Sequence, residues 1–429
     1  MERPITLQGR IDRTKESPLF YEIFALVSGG MFLDAVDVYL ASAVATTVLK
    51  DGWSTLQQNS YFLSSGFLGL FIGSLIAGFI GDLKGRRVAY QINLLMFGGF
   101  TFLGAFSPNM SFLIFCRLMS SIGLGSEIVT GYSMVNEFAP IHSRGKWCAT
   151  TSLVANCGAP VTMILASAII PRFGWRGMFM GVGIVAAILW YLRRNIPESP
   201  RWLMAHGRND EAQEIIQKLE VNGVNEDVTP IVKKHEVVHH SLGVSLFVAT
   251  VAASATIICQ YTFTSWVPTL LSNRGINISG SLWMSAFMMV GAPVGCAIGA
   301  YLVDRIGRKK TIAPAFFMTA VFGFMYGQQS TVAGVMTIGF LLEVCFYVLM
   351  ASVIAVYVAE LFPTKFRFRG SGIANGAAKL FTVAMPIVVA WMLKVTSPNM
   401  IFWTIGGIAL FAGIVVWVFG DETNQKDIG

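Results

Sequence analysis

The residues with the most chemistry to offer in this chain are charged or polar groups set inside apolar sequence. Asp34 and Asp37, in Phe32-Leu-Asp-Ala-Val-Asp-Val-Tyr39, are three apart and share one face of a helix. Arg117 and Glu127 lie in a second apolar stretch, ten residues and so roughly 80° apart around a helix. Gln260 and Tyr261 stand in a third. Glu343 and Tyr347, four apart on one face, stand in a fourth, and Lys379 in a fifth, one turn after Asn375. A charge at the centre of a bilayer costs about 2.5–3.5 kcal/mol on insertion scales, so such a group faces a cavity or a partner. A nearby cation favours the ionised carboxylate and desolvation the protonated one, so a buried aspartate is a natural proton carrier. The plainer alternatives are a place at the membrane rim, above all for Asp34 and Glu343, and a permanent structural ion pair. Glu127 either lines a cavity or packs against another helix. No nucleophile–base set, phosphate loop or metal-ligand spacing accompanies these residues. Neither an enzyme nor a cofactor or metal protein is expected.

The elements that hold these groups follow from composition. The 429 residues are 54% hydrophobic and 13% charged, with a mean hydropathy of +0.61. Soluble domains carry about 25% charged residues. Apolar runs of about 20 residues span a bilayer as helices. Twelve occur, at about 20–46, 58–82, 88–106, 111–137, 147–170, 175–193, 243–271, 281–303, 311–328, 332–360, 371–393 and 399–419. The polar start, residues 1–19, is expected to be a poorly ordered tail without a cleavable signal. Basic residues favour the cytoplasm. With both termini inside, only Lys50, Arg172, Arg176, Arg274 and Lys394 fall outside, and Arg117 and Lys379 within spans. The net charge of +7 therefore reflects topology, and no nucleic-acid partner is expected. The six cysteines lie in or beside spans and read as packing residues. Asn109-Met-Ser and Asn277-Ile-Ser match the glycosylation pattern but abut the membrane. Short outer loops point to a bacterial inner-membrane protein.

Gly78-Phe-Ile-Gly-Asp-Leu-Lys-Gly-Arg-Arg87 joins the second and third spans in a tight basic hairpin, and Asp304-Arg-Ile-Gly-Arg-Lys309 repeats it, Asp304 following Asp82 by 222 residues. Glu137-Phe-Ala-Pro-Ile-His-Ser-Arg144 returns as Glu360-Leu-Phe-Pro-Thr-Lys-Phe-Arg367 at an offset of 223. Two unlike motifs at nearly one offset indicate two homologous halves, 1–195 and 241–429, with a linker over 196–240. Within the linker Ala212, Ile215, Ile216 and Leu219 form the apolar stripe of a short amphipathic helix, with Asn209 as its expected N-cap.

The G-x-x-x-D-x-x-G-R-[RK] pattern and its echo resemble the major facilitator superfamily of transporters over essentially the whole chain. Leu83 stands where that family usually has a basic residue, and Ala300 where it usually has Gly. The resemblance implies an all-α membrane protein of twelve helices in two pseudo-symmetric six-helix bundles. It also implies a charge network of Asp82, Arg86, Glu137, Arg144, Asp304, Arg308, Glu360 and Arg367 that gates the cytoplasmic side. The twenty residues from Arg117 to Glu137 resemble the proton-coupled sugar porters, where a first-helix aspartate pairs with this arginine until protonated; Asp37 and Arg117 match those positions, and Asp34 and Glu127 are further candidates for proton coupling. Pro197-Glu-Ser-Pro-Arg-Trp-Leu203 resembles the same porters and their organic-ion relatives. The fifth span carries Asn156-Cys-Gly-Ala-Pro160, where small residues and proline imply close packing or a kink.

The seven residues from Lys379 to Pro386 resemble the organic-ion transporters, whose anion carriers have arginine there. Lys379 lies about 15 Å along its helix from Arg369, too deep for easy snorkelling. A buried ammonium there argues for an anionic substrate, with a permanent pair to Glu127 or Glu343 as the alternative. Gln260, Tyr261, Glu343, Tyr347 and Asn375 complete the expected substrate pocket. The reading is a monomeric secondary transporter that imports a small organic anion by proton symport. The alternatives are a proton-coupled sugar or polyol importer, against which the missing seventh-span sugar signature counts, and a drug or metabolite antiporter. A transport-inactive membrane sensor is a fourth.

Overall fold

The computed structural model describes residues 7–140, 143–223, 241–273, 275–362 and 364–423. A short helix α1 (Leu7–Arg13) precedes the first crossing, α2 (Pro18–Lys50), which starts at the Ser17 N-cap with Pro18 in its first turn. Then come α3 (Leu56–Lys84), α4 (Arg86–Gly104), α5 (Met110–Phe138), α6 (Arg144–Asn156) and α7 (Gly158–Leu192). Helix α7 carries two crossings. Its backbone leaves helical geometry at Gly174, φ 69°, so the fifth crossing is α6 with the first part of α7, and the sixth is the rest. The break between α6 and α7 falls at Cys157, three residues before Pro160, whose missing N–H explains a local kink.

Two short helices, α8 (Pro200–Ala205) and α9 (Asn209–Leu219), lead out of the first half. The second half comprises α10 (Leu242–Asn273), α11 (Ile278–Met289) continued by α12 (Gly291–Arg305), and α13 (Arg308–Gly327). Next is α14 (Val332–Leu349), which passes through a π-helical stretch, Met350–Tyr357, into α15 (Val358–Glu360). The chain closes with α16 (Thr364–Val395) and α17 (Asn399–Phe419). These helices make twelve crossings in two bundles of six, the all-α arrangement expected from the apolar runs. By length and hydropathy alone nine stretches among the described residues qualify as spans, one of them double, Arg144–Asn195. The two crossings outside that set, α4 and α13, both open on basic residues, Arg86 and Arg308.

In the first bundle α5 packs on α3 and α4, and α7 on α2 and α4; in the second α13 packs on α17 and α14, and α12 on α14. The bundles meet where α3 faces α16, α10 faces α2 and α11 faces α7. On the face opposite the termini hydrogen bonds tie them together. The Thr46 and Thr269 hydroxyls are 2.9 Å apart, Lys50 Nζ donates to Ile276 O at 3.2 Å, and Ser279 Oγ donates to Ser167 O at 2.7 Å.

Two sequence expectations change, and the two Asn-x-Ser motifs gain a structural role. The start of the chain is not a loose tail throughout: α1 docks on α9, burying Ile11, because Arg10 pairs with Glu220 and Lys15 N donates to Gly223 O at 3.3 Å. The hydrogen bond with Glu220 holds the Arg10 guanidinium above its ordinary pKa, against the smaller opposing effect of burial. Asn209 is not the cap of α9. Arg208 takes that position and its side chain turns to Glu211, 2.6 Å away. The Asn109 and Asn277 motifs are helix N-caps: Asn109 Oδ1 accepts from Phe112 N at 2.9 Å, and Asn277 Oδ1 from Gly280 N at 2.6 Å.

The repeated hairpin shows why its glycines are needed. Gly85 has φ 96° and Gly307 φ 113°, a region that L side chains avoid. Each opens a helix whose first amides are capped by a distant carboxylate. Glu198 Oε1 accepts from Arg86 N at 2.8 Å, and Glu422 Oε1 from Arg308 N at 2.7 Å. A Cβ on Gly85 would collide with Glu198 Oε2. Gly85→Ala is expected to cost about 1–3 kcal/mol, and Glu198→Ala about 1–2 kcal/mol. Both should lower the thermal unfolding midpoint of the detergent-purified protein; an unchanged midpoint in Gly85→Ala would contradict the cap geometry.

Candidate functional site

Asp37 and Arg117 meet in the middle of the first bundle. The Asp37 carboxylate pairs with Arg117 Nη1, and Thr101 Oγ1 donates to its other oxygen at 3.2 Å. The aspartate is wholly buried and the arginine 5% exposed. Arg117 Nη1 also reaches Asp37 O at 3.3 Å, while Arg117 Nε has no acceptor among the described residues. Three helices, α2, α4 and α5, thus converge on one carboxylate. Protonating Asp37 would release the guanidinium, so the pair is chemically able to exchange a proton for a contact.

Asp34 and Glu127 join a second cluster, and the sequence reading missed its centre. Arg193, the last residue of the sixth apolar run and not among the expected site residues, is wholly buried, and its Nη1 donates to Glu127 Oε1 at 2.6 Å. Its guanidinium lies 3.9 Å from the centroid of the Tyr90 ring. Neither oxygen of Asp34 nor Glu127 Oε2 has a hydrogen-bond partner among the described residues. Asp34 is 2% exposed and lies near the midpoint of α2, which counts against the rim alternative. Only the position of Arg193 at the end of an apolar run hinted at its burial.

Between the bundles lies a polar knot. The Tyr39 and Tyr347 hydroxyls bond each other across the interface, and Gln260 Nε2 donates to them at 3.1 and 3.3 Å. Tyr39 was not among the expected site residues, although it closes the segment that holds both aspartates. Tyr261, on the same helix as Gln260, places its ring 5.0 Å from that of Phe67 on α3. Glu343, one turn from Tyr347, is 1% exposed and without a partner among the described residues. Phe67, Tyr261, Thr262, Trp266, Thr382 and Pro386 line a narrow crevice between the halves. Thr262 Oγ1 and Trp266 Nε1 point there without partners among the described residues.

Lys379 is half-buried on α16, three residues before Thr382 and seven before Pro386, and so on the face that lines this crevice. Its ammonium meets no carboxylate among the described residues. The alternative pairings with Glu127 or Glu343 are not formed: Glu127 belongs to Arg193, and Glu343 has no partner among the described residues. Asn375 is half-buried one turn away, its Nδ2 donating to Ser371 O at 3.0 Å.

The expected gating residues gather at the face that carries the termini. Arg86 bridges Asp82 at 2.8 Å and Glu137 at 3.1 Å. Arg308 bridges Glu360 at 2.9 Å, and Thr423 Oγ1 donates to that carboxylate at 2.6 Å. Each of these contacts stays within one bundle. Arg144 opens α6. The side chains of Asp304 and Arg367 lie outside the described residues. Glu422 was missed, although Glu422-Thr423 repeats Glu198-Ser199 at an offset of 224.

Comparison with known proteins agrees with this fold. The family model described as "Sugar (and other) transporter" matches residues 25–428, and the chain belongs to that family of the major facilitator superfamily. It is 33% identical over 450 residues to the inner membrane metabolite transport protein YdjE of Escherichia coli (strain K12), covering 100% of this chain and 98% of that one. It is 28% identical to the niacin transporter NiaP of Acinetobacter baylyi, covering 98% of both. A partially occluded inward-open structure of the xylose transporter XylE from E. coli superposes with a TM-score of 0.78 at 19% identity, covering 96% of this chain and 100% of that one; it shows the shared fold. The protein is thus a multi-pass membrane transporter of small molecules and not an enzyme.

Removing one member of a buried ion pair strands the other. Arg117→Gln is expected to destabilise the protein by about 3–5 kcal/mol. The double variant Asp37→Asn/Arg117→Gln should recover the greater part of that loss. Thermal unfolding in detergent checks this; a double variant as unstable as Arg117→Gln would show that Asp37 is not the group left stranded.

Proposed function

We propose that this protein imports a small organic anion together with protons by alternating access. It acts as a monomer in a bacterial inner membrane, with both termini cytoplasmic. The halves 1–195 and 241–429 rock about the site between them, joined by the linker 196–240, of which residues 224–240 lie outside the described residues. Asp37 carries the proton and Arg117 holds the ionised form. Asp34 and Glu127 belong to the proton-coupling set. Lys379 supplies the counter-charge for the substrate, and Gln260, Tyr261, Glu343, Tyr347 and Asn375 shape its pocket. Asp82, Arg86, Glu137 and Arg144, with Asp304, Arg308, Glu360 and Arg367, gate the cytoplasmic face.

The observation that carries the anionic substrate is Lys379. Its half-buried ammonium, on a helix face that borders the crevice between the halves, has no partner among the described residues. An ammonium in that position is stabilised by a carboxylate arriving from outside. The likeness to a chain named as a niacin transporter supports the same class. A second reading, a neutral sugar or polyol, is favoured by Gln260 Oε1, Thr262 Oγ1 and Trp266 Nε1, which are buried without partners among the described residues and suit hydroxyl groups.

Proteoliposomes challenged with pooled organic acids, nicotinate included, and separately with sugars and organic cations test the reading. Acids alone should alkalinise the outer medium, with uptake rising as outer pH falls. Asp37→Asn should abolish the alkalinisation. Lys379→Gln should reduce acid uptake about 10- to 100-fold, the worth of one charge-assisted hydrogen bond. A response to sugars and not to acids would overturn the anion reading and install the second. Proton release from a preloaded lumen on adding a cationic drug would mean antiport.

A further inference from the structure

We infer that Asp34 and Glu127 share a single proton around Arg193, forming a second proton site whose occupancy controls the charge network at the terminus face. Two carboxyl groups and one guanidinium occupy a space closed to water. Asp34, Glu127 and Arg193 are 2%, 0% and 0% exposed. The groups that act electrostatically on Asp34 are Glu127 of α5, Arg193 at the end of α7, and Asp37 on α2 itself, with Tyr90 of α4 against the guanidinium. Arg117 is engaged by Asp37. With both acids ionised the cluster carries a net negative charge that nothing offsets, a costly state in a low dielectric. One bound proton makes it neutral. The three unpartnered oxygens, both of Asp34 and Glu127 Oε2, are where that proton can sit. Gly30 makes room for the cluster: a Cβ there would lie 2.7 Å from Glu127 Oε1 and against Arg193.

The cluster is tied to the terminus face by a short, fully bonded run of chain. Arg193 Nε and Nη2 also donate to Leu26 O, at 3.3 and 3.1 Å, pinning the turn Arg193–Asn195 to α2. The next residue, Arg194, accepts from Arg87 Nη2 at 2.6 Å through its carbonyl. Glu198, five residues after Arg193, caps α4 at Arg86 N and Arg87 N. Arg86 in turn holds Asp82 and Glu137. When the shared proton leaves to water, Arg193 faces two carboxylates in place of one. Its side chain then shifts between them and carries the turn, and with it the Glu198 cap, along. This inference rests on the proton-coupled reading only for its use in transport; the cluster's titration stands apart from which substrate is carried.

The test uses the full chain, its six native cysteines replaced by alanine, with spin labels at Leu83→Cys and Ile306→Cys. These positions lie on the matching hairpins of the two halves and are 78% and 50% exposed. Electron–electron distances across the terminus face are read against pH in proteoliposomes without substrate. The parent chain should show a pH-dependent shift. Asp37→Asn should keep part of it, and Asp37→Asn/Asp34→Asn and Asp37→Asn/Glu127→Gln should each lose the remainder, so the outcome does not hang on one variant's folding. An Asp37→Asn chain already flat with pH overturns the second site. So does a residual shift that survives both double variants. A flat parent chain that still alkalinises the medium with nicotinate overturns this inference and leaves the proposed function standing. The converse, a shift that behaves as expected without substrate-driven proton uptake, overturns the function and keeps the site.

Discussion

The structure depends on how it treats charge where water is excluded. A bilayer tolerates an ionised side chain only against a partner or a cavity. The first bundle answers with two buried ion pairs, Asp37 with Arg117 and Glu127 with Arg193, each joining helices distant in sequence. Such pairs contribute little net stability, since desolvation offsets most of the attraction, but each makes the loss of one partner expensive. The second bundle has no matching pair among the described side chains. Its buried Glu343 and half-buried Lys379 stand without partners there. The two halves share a fold and partner their buried charges differently: ion pairs hold Asp37 and Glu127 in the first, while Glu343 and Lys379 in the second have no ion pair among the described residues.

The terminus face follows a different logic, and there the halves match closely. A glycine at positive φ, a helix starting with arginine and a carboxylate from just after the last crossing of the half capping its first amides occur twice, as Gly85, Arg86 and Glu198 and as Gly307, Arg308 and Glu422. In each case the arginine reaches a glutamate at the end of a neighbouring helix, Glu137 or Glu360. The repetition ties the residues after the last crossing of each bundle to its second and third crossings. The π-helical stretch Met350–Tyr357 connects Tyr347 at the interface with Glu360 in this network. A π segment is a weak point in an otherwise regular helix and commonly marks a functional bend.

Much of this was legible in the sequence, for local reasons. Apolar runs of bilayer length mark the twelve crossings because hydropathy is a property of a contiguous segment. The offsets of 222 and 223 residues reveal two halves because a repeated hairpin needs the same Gly, Asp and Arg in each copy. The depth of Asp37, Arg117, Glu343 and Lys379 follows from their place within those runs. What the sequence by itself could not decide is which charge meets which. Arg193 reads as the last residue of an apolar run, yet it turns inward to Glu127, and Glu343 sits four residues from Tyr347 yet meets no cation among the described residues. Helix periodicity sets the face on which a side chain lies; the rotation and crossing of helices far apart in the chain set what that face touches. Those are properties of the packed bundle, and only the tertiary structure determined them.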